Sequence, residues 1–374
     1  MSTATGADLA SVVAWGGFAI AFVFGAIANK TNFCTMGAIS DIVNMGHWGR
    51  MRMWMLAIAV AVAASAALSL TGLVDLGKAV VQRPVLPWLS LMLGGLIFGV
   101  GMTMAGGCAN KNLVRLGGGS LRSLVVLVFM GIASYMTLKG LFGQWRATLL
   151  DPVAIDLAAS GWKDQSLATA LSRLSGADLR SAQIGMAALV ALALLLFALK
   201  DKRFRGNAQQ LIGGTVLGLL VAGGWYLSGH IGYGENPETL ETVFHGTNSR
   251  ALESLSFVAP VAYGLELLML WTDKSLHVTL GIATVLGVVA GSAAVALATR
   301  SFRWEGFASF TDLRSQLLGA VLMGFGGVTA MGCTVGQGLT GLSTLAIGSF
   351  IAVAGIVLGS TLTLKFILWR AERE

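Results

Sequence analysis

The sequence predicts an all-α, polytopic membrane protein, and three observations carry that prediction. Of its 374 residues, 55% are hydrophobic and only 11% are charged, against roughly 25% charged in an average soluble domain. Mean hydropathy is +0.76. Several apolar runs approach the roughly 20 residues that a helix needs to cross a bilayer. A single transmembrane domain over residues 1–374 is expected.

Candidate spans follow in order at about 11–29, 53–72, 89–105, 123–141, 183–199, 209–227, 276–298, 315–331 and 344–368, with a weaker one at 257–271. The opening "MSTATGADLASVVAWGG" has no positively charged leader region, so the first span is expected to be retained. "KDKRFRG" at 200–206 marks the cytoplasmic face, because cytoplasmic loops collect Lys and Arg. Residues 235–253 carry four Glu against a lone Arg250 and fit the outer face. The N-terminus then lies outside, and the loops at 30–52 and 111–122 lie inside. The same rule accounts for the net charge of +7, and no charge block is long enough to indicate a nucleic-acid partner. Residues 144–182 predict short surface helices, and 229–256 a similar piece with turns set by Gly, Pro and Glu. Trp15, Trp54, Trp88, Trp225 and Trp369 fall near span ends, where an interfacial aromatic belt accounts for them.

An internal repeat organises the chain. At an offset of 225 residues, "GGLIFGVGMTMAGGC" (94–108) aligns without a gap on "GAVLMGFGGVTAMGC" (319–333), with six identities in fifteen positions. A fainter third copy places Gly25 nine residues before Cys34, and "CTMG" at 34–37 echoes "CTVG" at 333–336. Two related halves are expected near 11–200 and 207–370, a plan common among transporters and often inverted across the membrane. Nine full spans invert the halves, with 257–271 dipping in and returning as a re-entrant piece; ten spans leave them in one sense.

The chain has three cysteines, Cys34, Cys108 and Cys333, each in a glycine-rich stretch. Glycine lets a helix break without steric cost, so the "GG" before Cys108 (Gly106 and Gly107) and the "GQG" and "GLTG" after Cys333 are expected to stop helices partway through the membrane, with Gly107 and Gly332 counted among the transport-site residues. Irregular backbone at that depth is tolerated only in buried or cavity-lining positions. Thiolate metal sites want a CxxC or a nearby His, and no such spacing occurs, so no metal and no cofactor are expected. No GxxxxGK[ST] loop is present. Lys111, Arg115 and Arg122 follow Cys108 closely and fit a basic vestibule for anions, as well as the positive-inside rule. Arg300, Arg303 and Arg314 are placed at the other mouth by an inverted plan. Asn32, Asn110, Asn112 and Gln337 flank the cysteines as donors to sulfonate-like oxygens or as helix caps. Glu266, inside "YGLELLML", is either a proton carrier or a partner-bonded structural acid.

"TNFCTMGAISDI", "GMTMAGGCANKNLVRLGGGSLRSLV" and "GVTAMGCTVGQGLTGLS" resemble the cysteine motifs of the YeeE/YedE membrane family of sulfur transporters, and the likeness extends over nearly the whole chain. The resemblance implies an hourglass of about nine transmembrane helices with short helices in its waist. It implies that the family's three essential cysteines correspond to Cys34, Cys108 and Cys333. It also implies a multi-pass protein of the bacterial inner membrane that carries thiosulfate or a related small sulfur anion.

A mechanism can be set beside that resemblance. Passage of a dianion needs binding that is favourable yet reversible. Neutral thiol S–H donors and helix N-termini offer this without a fixed mid-membrane charge. A free cysteine with a pKa near 8.5 is mostly protonated at neutral pH, so neutral thiols are expected. Two alternatives stay open: a membrane sulfur-relay enzyme that passes persulfide to a cytoplasmic sulfur-carrier protein, and a transporter of a selenium compound.

Overall fold

A computed structural model describes residues 6–235, 241–307 and 309–373. Glu238, one of the four glutamates read as marking the outer face, lies outside the described residues. Fifteen α-helices follow the hydropathy pattern. They are α1 (Gly6–Thr31), α2 (Thr35–Met45), α3 (Gly49–Leu70), α4 (Trp88–Met104), α5 (Ala109–Gly117), α6 (Leu121–Lys139), α7 (Leu141–Trp145) and α8 (Leu167–Ser175), then α9 (Leu179–Leu199), α10 (Lys202–Arg205), α11 (Ala208–Tyr226), α12 (Ala259–Met269), α13 (Leu280–Ala298), α14 (Phe310–Thr329) and α15 (Ile347–Ala371). Eight helical segments are long and apolar enough to cross a membrane. α14 joins them as the ninth long helix: its first turns carry Asp312, Arg314 and Gln316, which lower its hydropathy. The segment 144–182 holds the short helices expected of it. Residues 229–256 do not: they form a two-stranded antiparallel ribbon, Tyr233–Glu235 with Thr242–Phe244.

Glycine contacts fix the direction of each helix. On α4 and α14, a Cβ added to Gly94 would lie 2.5 Å from the Ala330 nitrogen, and one on Gly101 would lie 2.6 Å from the Met323 nitrogen. A Cβ on Gly319 would lie 2.6 Å from the Ala105 nitrogen, and one on Gly326 would lie 2.5 Å from the Phe98 nitrogen. Positions that rise along α4 meet positions that fall along α14, so the two helices run antiparallel. The contacts are also reciprocal. An offset of 225 turns the Gly94–Ala330 pair into Gly319–Ala105, and Gly101–Met323 into Gly326–Phe98. A self-complementary contact of this kind is what a two-fold axis produces.

Three other helix pairs run parallel. Gly17 meets Leu280 and Gly25 meets Val288 between α1 and α13. Gly214 meets Met53 and Gly218 meets Ala57 between α3 and α11, and Gly355 meets Met92 and Gly359 meets Leu96 between α4 and α15. Nine alternating spans satisfy every one of these directions. A full crossing by α12 would reverse α13 against α1, so the 11-residue α12 dips in without crossing. One face of the bundle, at the C-terminal ends of α1, α4, α9 and α13, gathers residues 200–206 and the larger share of Lys and Arg; it is called the basic face below.

Candidate functional site

α1, α4 and α14 stop by the same device. Asn32, Gly106 and Met331 take left-handed backbone, with φ of 53°, 69° and 56°. The next amide in each case turns back five residues: Phe33 N–H donates to Ala28 O at 3.1 Å, Gly107 N–H to Met102 O at 2.9 Å and Gly332 N–H to Gly327 O at 2.8 Å. This is the Schellman closure, which satisfies carbonyls a helix end would leave bare. A left-handed glycine costs little, whereas Met331 pays about 1–2 kcal/mol for its Cβ. The break before Cys108 thus falls within the expected "GG", at Gly106, whereas the second comes ahead of Cys333, at Met331, and not in the glycines that follow it. Gly107 and Gly332 provide room instead: a Cβ on either would lie 3.0 Å from Cγ of Lys111 or of Gln337.

Each cysteine follows two residues after the left-handed one and begins the next helical piece: α2, α5 and the turn at Gly336–Gly341. Cys34 Sγ accepts the Gly37 N–H at 3.3 Å and Cys333 Sγ accepts the Gly336 N–H at 3.4 Å, while Cys108 occupies the N-cap position of α5 without a side-chain cap bond. A thiol thus stands at the N-cap, where an oxygen of Ser, Thr, Asp or Asn is usual. At Cys34 and Cys333 the backbone occupies a sulfur lone pair and leaves the S–H to point elsewhere. The three joints converge, since the Cys34 and Cys108 thiols are neighbours and Cys108 also lies against the Thr334 hydroxyl. All three cysteines are buried and unbridged.

Around them sit polar atoms with nothing to bind. Thr35 Oγ1, Trp54 Nε1, Asn110 Oδ1 and Thr334 Oγ1 are buried without a hydrogen-bond partner, at a cost of about 1–3 kcal/mol each. Trp54 is not part of an interfacial belt. It is 4% exposed, stacks on Phe33 at 4.7 Å, and its ring edge would lie 3.2 Å from a Cβ on Gly338. Trp225 is buried as well, and its indole donates to Ser343 Oγ at 2.9 Å. Trp15, Trp88 and Trp369 are exposed and keep the belt reading.

On the basic face, Lys111, Arg115, Asn29, Asn32, Arg303 and Glu305 line a cavity of about 180 Å³. Lys111 Nζ donates to Asn32 Oδ1 at 3.0 Å, and Arg115 Nη1 to the Gly106 carbonyl at 2.8 Å. Both cations therefore stand at the negative C-terminal ends of α1 and α4. Arg303 belongs to this cavity and not to the opposite mouth; the loop before α14 starts on the basic face, which the inverted-plan argument overlooked. Arg122 points away to Asp312, 3.4 Å distant. Gln337, which the offset of 225 pairs with Asn112, caps the end of α14, its amide donating to the Ala330 carbonyl at 2.8 Å while its oxygen accepts from Ser349 at 2.6 Å. Asn112 caps the Gly107 carbonyl at 3.0 Å. Glu266 is held by Lys139 at 2.7 Å and Tyr135 at 3.1 Å, a partner-bonded arrangement. Sequence reasoning missed the bidentate pair of Arg50 with Asp41, at 2.6 and 2.7 Å, which backs Gly37 behind Cys34.

Two depressions open on the opposite face. One, of about 360 Å³, includes Lys78, Lys163, Gln82 and Thr344; the other, about 180 Å³, includes Glu253, Met331, Gly336 and Thr340. Both reach the Cys333 segment. Glu253 accepts the Ser249 N–H at 3.0 Å, and burial raises its carboxyl pKa above the usual range. Among the described residues no cluster of His, Cys, Asp and Glu is arranged to hold a metal ion.

Residues 30–362, which span all three joints, match the family described as sulphur transport. The chain belongs to that family. It is 26% identical over 363 residues to a protein of Escherichia coli (strain K12) named thiosulfate transporter TsuA, covering 94% of each chain. It is 25% identical over 380 residues to a protein of the same name from Spirochaeta thermophila, covering 95% of this chain and 99% of the relative. The family carries a sulfur-containing cargo across a bilayer, and this member is a multi-pass membrane protein.

Proposed function

We propose that the protein is a permease of the bacterial inner membrane that takes up thiosulfate or a closely related small sulfur anion. The basic face is the cytoplasmic one, and the two halves are inverted repeats sharing the α4–α14 axis. The anion enters by the depressions beside Gly336, meets Cys333, then Cys108 and Cys34, and leaves through the cavity of Lys111 and Arg115. The thiols act as neutral S–H donors, those of Cys34 and Cys333 pre-set by a backbone N–H, and no bond to sulfur is made or broken. Delivery to a soluble sulfur-carrier protein at the Lys111 mouth extends the same reading. The single observation that supports it most is the convergence of three cysteines, at three matching helix breaks, between depressions on opposite faces. Names of the relatives support thiosulfate as the cargo.

The test is uptake of ³⁵S-labelled thiosulfate by the purified protein in liposomes, competed with sulfate, sulfite, sulfide and selenite. Unchanged thiosulfate inside the vesicles, displaced poorly by sulfate, is the expected outcome. A persulfide trapped on Cys108, with no thiosulfate accumulated, overturns the permease reading in favour of a sulfur relay.

A further inference from the structure

We propose that Trp54 is a cargo-binding residue whose indole N–H, together with the Thr334 hydroxyl, holds the oxygen-bearing end of the anion while the thiols face its terminal sulfur. This inference rests on the permease reading above and adds the residues that sort oxyanions from other small anions.

The protein's two buried tryptophans are treated differently by their surroundings. Two tryptophans are buried beside the Cys333 segment, and only one of them is satisfied. Trp225 donates to Ser343 at 2.9 Å. Trp54, equally enclosed, donates to nothing. Indole nitrogen is a donor only, so no rearrangement of roles within the ring can relieve it. A ligand acceptor can.

Position supplies the second part. Phe33, on which Trp54 stacks, is the residue before Cys34. Gly338, which the far edge of the indole approaches, lies five residues after Cys333. The ring therefore bridges two of the three joints, while Thr334 lies against the thiol of the third, Cys108. Thr334 is 2% exposed and its hydroxyl is also unpartnered. Trp54 and Thr334 thus offer two neutral donors, on separate elements, bordering the cysteine layer. Tetrahedral oxyanions present several acceptor oxygens at once and reward donors set at divergent angles. Neutral donors also avoid the tight hold that a buried cation would impose on a dianion.

The experiment uses the full protein in two ways. Trp54→Phe keeps the stack on Phe33 and removes only the N–H; in proteoliposomes, KM for thiosulfate is expected to rise at least tenfold with the maximal rate within about threefold. Thr334→Val, of nearly equal shape, is expected to raise KM in the same sense. Independently, protein labelled with ¹⁵N-tryptophan is titrated with thiosulfate, and the Trp54 indole resonance, assigned by its loss in Trp54→Phe, is expected to move downfield saturably. A wild-type KM in Trp54→Phe, or a Trp54 resonance that thiosulfate leaves in place, overturns the proposal. If Trp54→Phe does not yield folded protein, Trp54 is assigned by replacing the other tryptophans and the titration of the wild type decides. Absence of uptake by the wild type overturns the permease reading instead, and the titration still decides whether Trp54 binds the anion.

Discussion

Alanine at Gly101 or Gly326 is expected to separate α4 from α14 and to weaken both folding and uptake. At Gly101 the new methyl would lie 2.6 Å from the Met323 nitrogen and 2.7 Å from the Gly319 oxygen; at Gly326 it would lie 2.5 Å from the Phe98 nitrogen and 2.6 Å from the Gly94 oxygen. The obstructing atoms are backbone, so no side chain can swing aside. Real Cβ contacts rarely fall below 3.4 Å, which leaves a shortfall of about 0.8 Å that the helix pair must open. Overpacking of a well-filled interior costs about 1–3 kcal/mol, and the rigid obstruction places both variants in the upper half of that range. Because the contact is reciprocal, the two single variants should agree to within about 0.5 kcal/mol. The double variant should cost less than their sum, since the first methyl already opens the space for the second. Gly185→Ala on α9 is the control, because a Cβ there meets nothing within 4 Å. The assay is equilibrium unfolding of the purified protein in micelles by increasing SDS, alongside uptake in liposomes. Gly101→Ala behaving like Gly185→Ala would refute the reasoning, as would a strict additivity of the pair.

Cys108→Ser retains a hydroxyl donor at the N-cap and is expected to keep a measurable share of uptake, with Cys108→Ala at least tenfold lower; equal loss in both would exclude simple donation and point to sulfur chemistry. Met331→Gly removes a left-handed Cβ, and after the added chain entropy of glycine a gain of about 0.5–1 kcal/mol is expected, read as a higher SDS midpoint. Burial raises the Glu253 carboxyl pKa in the folded protein, so its neutral form is the one the fold favours. That stability is full below the ordinary carboxylate pKa and is lost as pH rises through the folded value. Glu253→Gln should therefore flatten the decline in stability as pH rises above the ordinary carboxylate range, and an unchanged pH profile would discount the burial argument.

Hydropathy made the nine long helices legible to within a few residues, because crossing a bilayer demands length and apolarity that leave a plain record. The repeat exposed the α4–α14 relation, since close backbone contact tolerates glycine alone at Gly94, Gly101, Gly319 and Gly326. Other features leave no such record. Met331 occupies a position that glycine would favour, and only the Schellman bonds around it disclose the turn. Trp54 stands near the start of α3, where sequence position cannot distinguish a lipid-facing ring from a buried one. Arg303 was misplaced because a charge in a loop was assigned by analogy with the repeat and not by counting crossings. The Asp41–Arg50 pair joins residues nine apart across a turn, a spacing with no helical periodicity to announce it. Arg122 looked like Lys111 and Arg115 in sequence and differs only because Asp312 is within reach.

On the proposed route, with the basic face inside the cell, the unlike caps at the two helix ends, a guanidinium at α4 and a carboxamide at α14, make passage electrically lopsided. A divalent anion entering a cell moves against an interior-negative potential at about 4.6 kcal/mol per 100 mV, twice the single-charge value. Fixed positive groups on the arrival side lower the last part of that climb and so quicken transit. Immobile charges reshape a barrier without performing work. Net accumulation must therefore draw on a co-moving ion or on prompt consumption of the cargo once it has arrived.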